Sequence, residues 1–292
     1  MGEVNEMKIL VLGATGMAGH TIYLYLKSAN YNVTAFSKSK FNGSHSIVGD
    51  ATNFKYLKKL IIEGDYDAVI NAVGILNSQA EAYKSTAVIL NSYLPHFLSE
   101  LTQNMKTKII HMSTDCVFSG KRGGYIETSF KDGETFYDRT KALGELEDNK
   151  NLTFRNSIIG PDLNPEGIGL FNWFMKQKGE IKGYSQAIWT GVTTLTLAKA
   201  MEQALIEDLT GLYHLVNGES INKFDLLQLF NKHLKENANL IVPDNRLSLD
   251  KSLINNREDF SFVVPSYEEM IMEMKEWILN NKVLYPHYFI GG

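Results

Sequence analysis

The first apolar run of the chain, Lys8-Ile-Leu-Val-Leu12, stops at Gly13 and resumes after two more glycines, Gly16 and Gly19, as an apolar-rich segment from Thr21 to Leu26. That pattern predicts a strand, a tight turn and a helix, with residues 1–6 as a loose lead-in. A turn signal at Asn30-Tyr-Asn32 precedes a second strand, Val33 to Phe36, and Ile47 to Asp50 is a further short apolar stretch. Helical spacing follows at Phe54, Leu57, Leu60 and Ile61. Asp67 to Val73 is a continuous apolar run, the kind of strand that is buried on both faces of a parallel sheet. A long helical tract, residues 79–104, contains Asn91 and Pro95 and is expected to kink or split before the proline. Thr107 to Met112 is another strand, residues 120–134 read as a polar surface loop, Phe136 to Leu146 as a helix, and Leu152 to Ile159 as a strand.

This alternation of strand and helix predicts an α/β fold, a doubly wound parallel sheet of the Rossmann type. Beyond residue 160 the order loosens. Helices are expected at Ile168 to Gln177, Thr194 to Ile206, Lys223 to Lys235 and Tyr267 to Asn280, with one strand at Leu212 to Val216. We therefore expect residues 1–160 to form a dinucleotide-binding domain and residues 161–292 a smaller, partly interleaved substrate-binding lobe, with about 190–216 returning to the sheet. The stripe Met270, Ile271, Met274, Trp277 and Ile278 reads as core packing, and the apolar tail Leu284 to Ile290 as a segment that docks on the body or on a second subunit, so a homodimer is possible.

Composition narrows the picture. With 292 residues, 44% of them hydrophobic, the chain is large enough for a substantial core. Its 29 basic and 33 acidic residues balance to -4 without a basic block, which argues against nucleic acid and membrane surfaces and for small-molecule partners. A single cysteine, Cys116, excludes an internal disulfide and suits the cytoplasm. The seven histidines are scattered without ligand spacing, so no metal site is expected.

Gly13, Gly16 and Gly19 are spaced so that backbone can approach a pyrophosphate at the start of the following helix. The second strand ends in Ser37-Lys-Ser-Lys40, with donors and positive charge and no acid. A ribose 2′-hydroxyl calls for an acid there and a 2′-phosphate does not, so NADP(H) is preferred and NAD(H) remains possible. Asp50 is placed either to cap the next helix or to touch adenine.

Tyr137 and Lys141 stand at i and i+4 of a helix, and a neighbouring cation is expected to lower a phenol pKa that ordinarily lies near 10. Such a phenol exchanges a proton with a carbonyl oxygen. Thr114, after the preceding strand, is placed to bond the same oxygen, and Asn91 to hold the lysine through a backbone or water contact. Cys116 reads as pocket wall, Phe171, Trp173, Tyr184 and Trp189 as core or stacking groups, and Arg257 as a candidate phosphate ligand or an ordinary surface arginine.

In these residues the chain resembles the extended short-chain dehydrogenase/reductases, and within them the dTDP-4-dehydrorhamnose reductase-like enzymes. The likeness lies in Gly13-Ala-Thr-Gly-Met-Ala-Gly19, Ser113-Thr-Asp-Cys-Val-Phe118, Tyr137-Asp-Arg-Thr-Lys141 with Gly144-Glu145, and Phe154-Arg-Asn-Ser157. The resemblance implies an NAD(P)H-dependent reductase of the 4-keto group of a nucleotide-linked deoxysugar, with Thr114, Tyr137 and Lys141 as its triad. On this reading the cofactor meets Gly13, Thr15, Gly16, Met17, Ser37, Lys38, Asp50, Ala51, Asn71, Ala72, Val73, Asn91, Ser113, Tyr137 and Lys141. The nucleotide sugar meets Gly74, Cys116, Ile158, Asn172, Trp173 and Arg257. Two positions depart from the rhamnose pattern: Cys116 stands where those enzymes carry tyrosine, and Ile158 where they carry an aromatic residue. Both would face the sugar. An epimerase or epimerase-reductase, and a non-catalytic NADP-binding regulatory subunit, remain as alternatives.

Overall fold

The computed structural model describes residues 5–41 and 45–290. Residues 1–4 of the expected lead-in lie outside these, and Asn5 and Glu6 already belong to the first strand. In chain order the first half runs β1 (Asn5–Leu12), α1 (Met17–Ser28), β2 (Tyr31–Ser37), β3 (Ser46–Val48), α2 (Phe54–Gly64), β4 (Ala68–Asn71), α3 (Asn77–Ala82), α4 (Lys84–Ala87), α5 (Leu94–Thr102), β5 (Lys108–Ser113), α6 (Phe136–Leu143) and β6 (Leu152–Arg155). The second half runs β7 (Ser157–Ile159), α7 (Leu170–Lys176), β8 (Glu180–Trp189), β9 (Gly191–Thr193), α8 (Thr194–Ile206), β10 (Gly211–His214), β11 (Ile221–Asn222), α9 (Lys223–Leu234), β12 (Leu240–Asp250) and α10 (Tyr267–Asn280).

Seven strands form one sheet in the order β10-β6-β5-β4-β1-β2-β3, every neighbouring pair parallel. The winding reverses between β1 and β4, and the crevice at the carboxyl ends of these two strands is where such sheets take ligands. Both faces of the sheet are covered. Ile9 and Val11 of β1 point to the core shared with α1, α8 and α10, while Leu10 and Leu12 point to the core shared with α2 and α5. The first of these cores continues through Phe171, Phe174 and Phe230, so the second lobe is packed on the sheet and not tethered to it. β10 pairs with β6 at the sheet edge, which brings residues 211–214 back to the first half.

The helical tract divides earlier than Pro95 alone predicts. α3 ends at Ala82, and a π-helical turn, Val88–Tyr93, precedes α5, whose first turn carries Pro95, where no backbone N–H is needed. Asn91 lies in that widened turn, which points its amide at the β4–α3 loop. The strand expected at 152–159 is split at Asn156, β6 staying in the main sheet and β7 pairing with β9.

The second lobe contains a sheet that the hydrophobic pattern did not announce, β11-β8-β12. The buried positions of β8 alternate through Ile181, Gly183, Ala187 and Trp189, and the small residues among them hide the period. β12 is an edge strand with an exposed face and Pro243 in its middle, a residue that edges tolerate. No helix among the described residues is long and apolar enough to cross a membrane.

Candidate active site

At the carboxyl end of β1 the chain turns through Gly13, whose φ of 81° lies in the left-handed region. A methyl group at Gly13 would stand 2.9 Å from the Ala72 carbonyl oxygen, and one at Gly19 would stand 2.1 Å from that of Gly13. Those two glycines let α1 and the end of β4 close on the turn. Gly16 differs, because a methyl there would meet only the Gly13 oxygen, at 3.4 Å, and would otherwise project into open space. Gly16 caps α1 without a side-chain bond, so the first amides of the helix face outward beside an open backbone surface. A dinucleotide pyrophosphate fits this cradle. Thr15 and Met17 flank it, both partly exposed.

Across the crevice, the Asn71 carboxamide accepts from the Val73 amide at 3.2 Å and meets His111 Nδ1 at 3.2 Å. That bond fixes the loop Ala72-Val73-Gly74 against Gly13. At the end of β2, Ser37 is buried and donates to the Ser39 carbonyl at 2.6 Å, so its hydroxyl is already engaged, whereas Ser39 and Lys40 are exposed. Lys38 pairs with Asp50 at 3.2 Å, both well exposed. Asp50 does not cap α2. Its carboxylate bonds the Thr52 amide, which with Lys38 holds its pKa below the usual range, and Asn53 caps the helix instead. Ala51 is buried beside it.

The chemistry gathers at the end of β5. Thr114 caps a short 3-10 turn, Asp115–Val117, its hydroxyl accepting from the Cys116 amide at 3.1 Å and donating to Asp115 Oδ1 at 3.1 Å. Thr135 and Asp138 form a capping box that starts α6 and sets Tyr137 in its first turn, where the phenol reaches the Thr114 hydroxyl. Tyr137 is 6% exposed, packed against Cys116, Ile75 and Ala80.

One expectation is corrected here. Burial pushes the Tyr137 phenol above its ordinary value, Cys116 and Asp115 reinforce the rise, and the Thr114 bond opposes it. Lys141 does not lower it. Its ammonium is turned to the Met112 carbonyl, 2.5 Å away, and burial brings its own pKa down to about 8 against the pull of Glu145. The Asn91 carboxamide bonds both Ile75 backbone groups at 3.0 Å and Thr140 Oγ1 at 3.2 Å, clasping the β4–α3 loop to α6. The Cys116 thiol is pushed up to about 12, chiefly by burial, and is inert wall, as its lack of a base in the sequence suggested.

Other expected residues fall outside this cluster. Arg257 donates to the Thr210 and Leu212 carbonyls at 2.7 and 2.9 Å and pairs with Asp259. It braces the amino-terminal start of β10, at the opposite end of the sheet from Thr114. Asn172 is buried, its Nδ2 donating to the Ile168 carbonyl and its Oδ1 accepting from the Tyr288 hydroxyl. Trp173, on the same helix, is 43% exposed, and Gly169 at the head of α7 approaches Met17, which sets this helix beside the glycine turn. Ile158 is partly buried in β7.

The sequence also passed over a buried frame behind the triad. Ser113 donates not outward but to Glu145 Oε1 at 2.5 Å, and Glu145 forms a two-pronged pair with Arg155 at 2.8 and 2.6 Å. The Gly144-Glu145 and Phe154-Arg155 motifs were the available signal, but nothing in their spacing says that they meet. Among the described residues no group of three side chains is placed to hold a metal.

Comparison with known proteins agrees with this geometry. Residues 7–249 match the model of the RmlD substrate binding domain. The spore coat polysaccharide biosynthesis protein SpsK of Bacillus subtilis (strain 168) is 28% identical over 220 residues, 72% of this chain and 73% of that protein. A dTDP-4-dehydrorhamnose reductase of Aggregatibacter actinomycetemcomitans is 30% identical over 141 residues, so the match spans 47% of this chain and less than half, 45%, of that enzyme. The crystal structure of a dTDP-4-dehydrorhamnose reductase from Bacillus anthracis str. Ames in complex with NADP superposes with a TM-score of 0.78 over 93% of this chain and 99% of that one, at 22% identity. The shared fold, with the family match running from the first strand to the end of β12, identifies the chain as a member of the RmlD substrate-binding domain family.

Proposed function

We propose that the protein is an NADPH-dependent reductase that converts the 4-keto group of a nucleotide-linked deoxysugar to a hydroxyl, in cytoplasmic deoxysugar or surface-polysaccharide biosynthesis. The observation that carries the reading is the Tyr137–Thr114 hydroxyl contact at the carboxyl end of β5, beside the glycine cradle at the point where the winding reverses. The names of the relatives, reductases and a polysaccharide-forming protein, support it. The absence of an acid from Ser37 to Lys40, and the NADP bound by the Bacillus anthracis enzyme, support the choice of dinucleotide.

The glycine turn, Met17 and the Ala72-Val73 loop would hold the nicotinamide dinucleotide, which when bound would supply the hydride to the keto carbon. Tyr137 gives its proton to the keto oxygen, and its raised pKa means that the proton is present at neutral pH to be given. Thr114 hydrogen-bonds the same oxygen. Lys141, largely charged near pH 7, gives one of its three ammonium protons to the Met112 carbonyl and would offer the others to the ribose of the bound cofactor. Cys116 and Ile75, which pack around Tyr137, keep water from the transfer path.

Purified protein mixed with NADPH and a panel of 4-keto nucleotide sugars tests this, with cofactor absorbance followed and product stereochemistry read by NMR. Tyr137→Phe should lower turnover about 10²- to 10⁴-fold while NADPH binding stays within a few-fold. No turnover on any sugar, with NADPH still bound tightly, would favour a regulatory subunit. A product inverted at C3 or C5 would favour an epimerase-reductase.

A further inference from the structure

The second lobe carries two lysines that the chemistry above does not use. In the sheet β11-β8-β12, Asn222 of β11 and Asp250 of β12 stand in register on either side of Ile188. Lys223 and Lys251 are the next residues of those two segments, so they bracket the end of β8. From there the chain passes through Thr190 into β9, which pairs with β7 at Ile158. The stem of Lys251 also lies on Gly120, where a methyl group would stand 2.8 Å from its Cγ, and the adjoining Leu253 packs with Val117 and Phe118. Both lysines therefore sit at the seam where the second lobe meets the segment that follows Thr114.

Lys223 and Lys251 are partly buried, yet neither ammonium has a hydrogen bond or an ion pair among the described residues. Their charge is felt at Asp115, which is 4% exposed and takes the Thr114 hydroxyl, and that of Lys251 also at Cys116. Burial favours the neutral acid of Asp115 more than the two lysines favour its carboxylate, so it does not neutralise them. The acids nearest them in sequence are engaged, Asp225 by the Asn222 carboxamide at 2.6 Å and Asp250 by the Ser252 amide at 2.9 Å. Two ammonium groups drawn partly out of water without a counter-ion make a place for an anion.

We propose that Lys223 and Lys251 form an anion subsite on the second lobe that holds the diphosphate of the nucleotide sugar, each giving charge-assisted hydrogen bonds to phosphate oxygens. This rests on the nucleotide-sugar reading above and gives it the phosphate ligands that Arg257, engaged with two carbonyls and Asp259, does not supply. In a hexopyranose the anomeric carbon, which bears the diphosphate, lies across the ring from C4. A sugar whose keto oxygen meets Thr114 and Tyr137 therefore directs its phosphates away from the reacting carbon. The seam between the lobes receives them there, with one cation from each side of β8. A lysine is a compact charge on a flexible stem, which suits a diphosphate and sets no preference for the base attached to it.

The test is calorimetric binding of dTDP-glucose and of UDP-glucose to the full chain saturated with NADP⁺, which occupies the dinucleotide site and has no hydride to give. Lys223→Met and Lys251→Met should each weaken both sugars about tenfold, and leave NADP⁺ binding within about twofold. The double variant should also flatten the fall in affinity with added NaCl, and Lys223→Arg with Lys251→Arg should restore most of the binding. Unchanged affinity in the double variant, or a loss for NADP⁺ as large as that for the sugars, would overturn the subsite and leave the reductase reading standing. UDP-glucuronate separates the two anions that a nucleotide sugar can carry: a loss confined to it, with UDP-glucose unaffected, would place the lysines on a ring carboxylate and overturn the diphosphate assignment. An unmodified protein that holds NADP⁺ and binds neither sugar nucleotide would count against the nucleotide-sugar reading itself, and the subsite would fall with it.

Discussion

Two buried cations hold the end of β5, and they are treated in opposite ways. Arg155 is fully buried and fully paired: its guanidinium spans both oxygens of Glu145, donates to His214 Nε2 at 2.8 Å and lies over the Phe118 ring. Lys141 is as deeply buried, but among the described residues its ammonium has one hydrogen bond, to the Met112 carbonyl, and no carboxylate partner. An ammonium has three protons to give. The satisfied cation makes a frame and the unsatisfied one keeps donors in hand for a substrate or cofactor, so a single residue step along β5, from Met112 to Ser113, separates scaffold from chemistry.

The largest effect should come from breaking the frame. In Glu145, burial favours the neutral acid, but the Arg155 bonds and then Lys131 outweigh it and hold the carboxyl below its usual range. Its stabilising contribution is therefore present above the unfolded-state pKa of about 4.3 and lost as pH falls through the lower folded value. Glu145→Gln leaves the Arg155 charge uncompensated and should cost about 3–5 kcal/mol in urea unfolding at pH 7. A loss under about 1 kcal/mol would mean that the pair is not what fixes the end of α6 to β6.

The opposite sign is expected at Lys141. Its folded pKa of about 8 lies below the unfolded value of about 10.4, so between those pH values the unfolded chain binds more protons and stability rises with pH. At pH 7 the charged ammonium costs the fold roughly 3 kcal/mol. Lys141→Met removes that cost and loses one bond to the Met112 carbonyl, for a net gain of about 1–2 kcal/mol at pH 7. The gain over the unmodified protein should shrink as pH climbs from 8 to about 10.4. Urea melts across that range decide it, and a difference that stays flat with pH would remove the contrast with Arg155.

How far these features were legible depends on whether they leave a mark in the sequence. The glycine turn and the parallel strands were readable, because strand period and turn residues are local, whereas the grouping of Thr114 with Tyr137 came from the family resemblance. The partner of Lys141 was not, since it is a backbone carbonyl and any residue at Met112 would supply one. Arg257 was left open between two readings for a related reason: a guanidinium is equally suited to a phosphate and to the carbonyls at Thr210 and Leu212 that it bonds here. The β8–β12 sheet escaped because glycine, alanine and proline occupy positions where the alternation would otherwise show.

The smallest expected effect sharpens the same contrast from its edge. Lys131 is a second cation on Glu145, 2.9 Å from Oε2, but its side chain is 28% exposed and it also pairs with Glu147 on the surface. Burial lowers its pKa less than the two carboxylates raise it, so it stays charged, and water screens much of what it gives. Lys131→Met should therefore cost less than about 1 kcal/mol in the same urea assay and leave the KM for the keto sugar unchanged. Arg155 already bonds both oxygens of Glu145, so the carboxylate is not orphaned by the loss of its outer partner. A penalty for Lys131→Met as large as that for Glu145→Gln would show that the inner pair does not stand by itself, and the frame would have to be redrawn as a triad open to solvent.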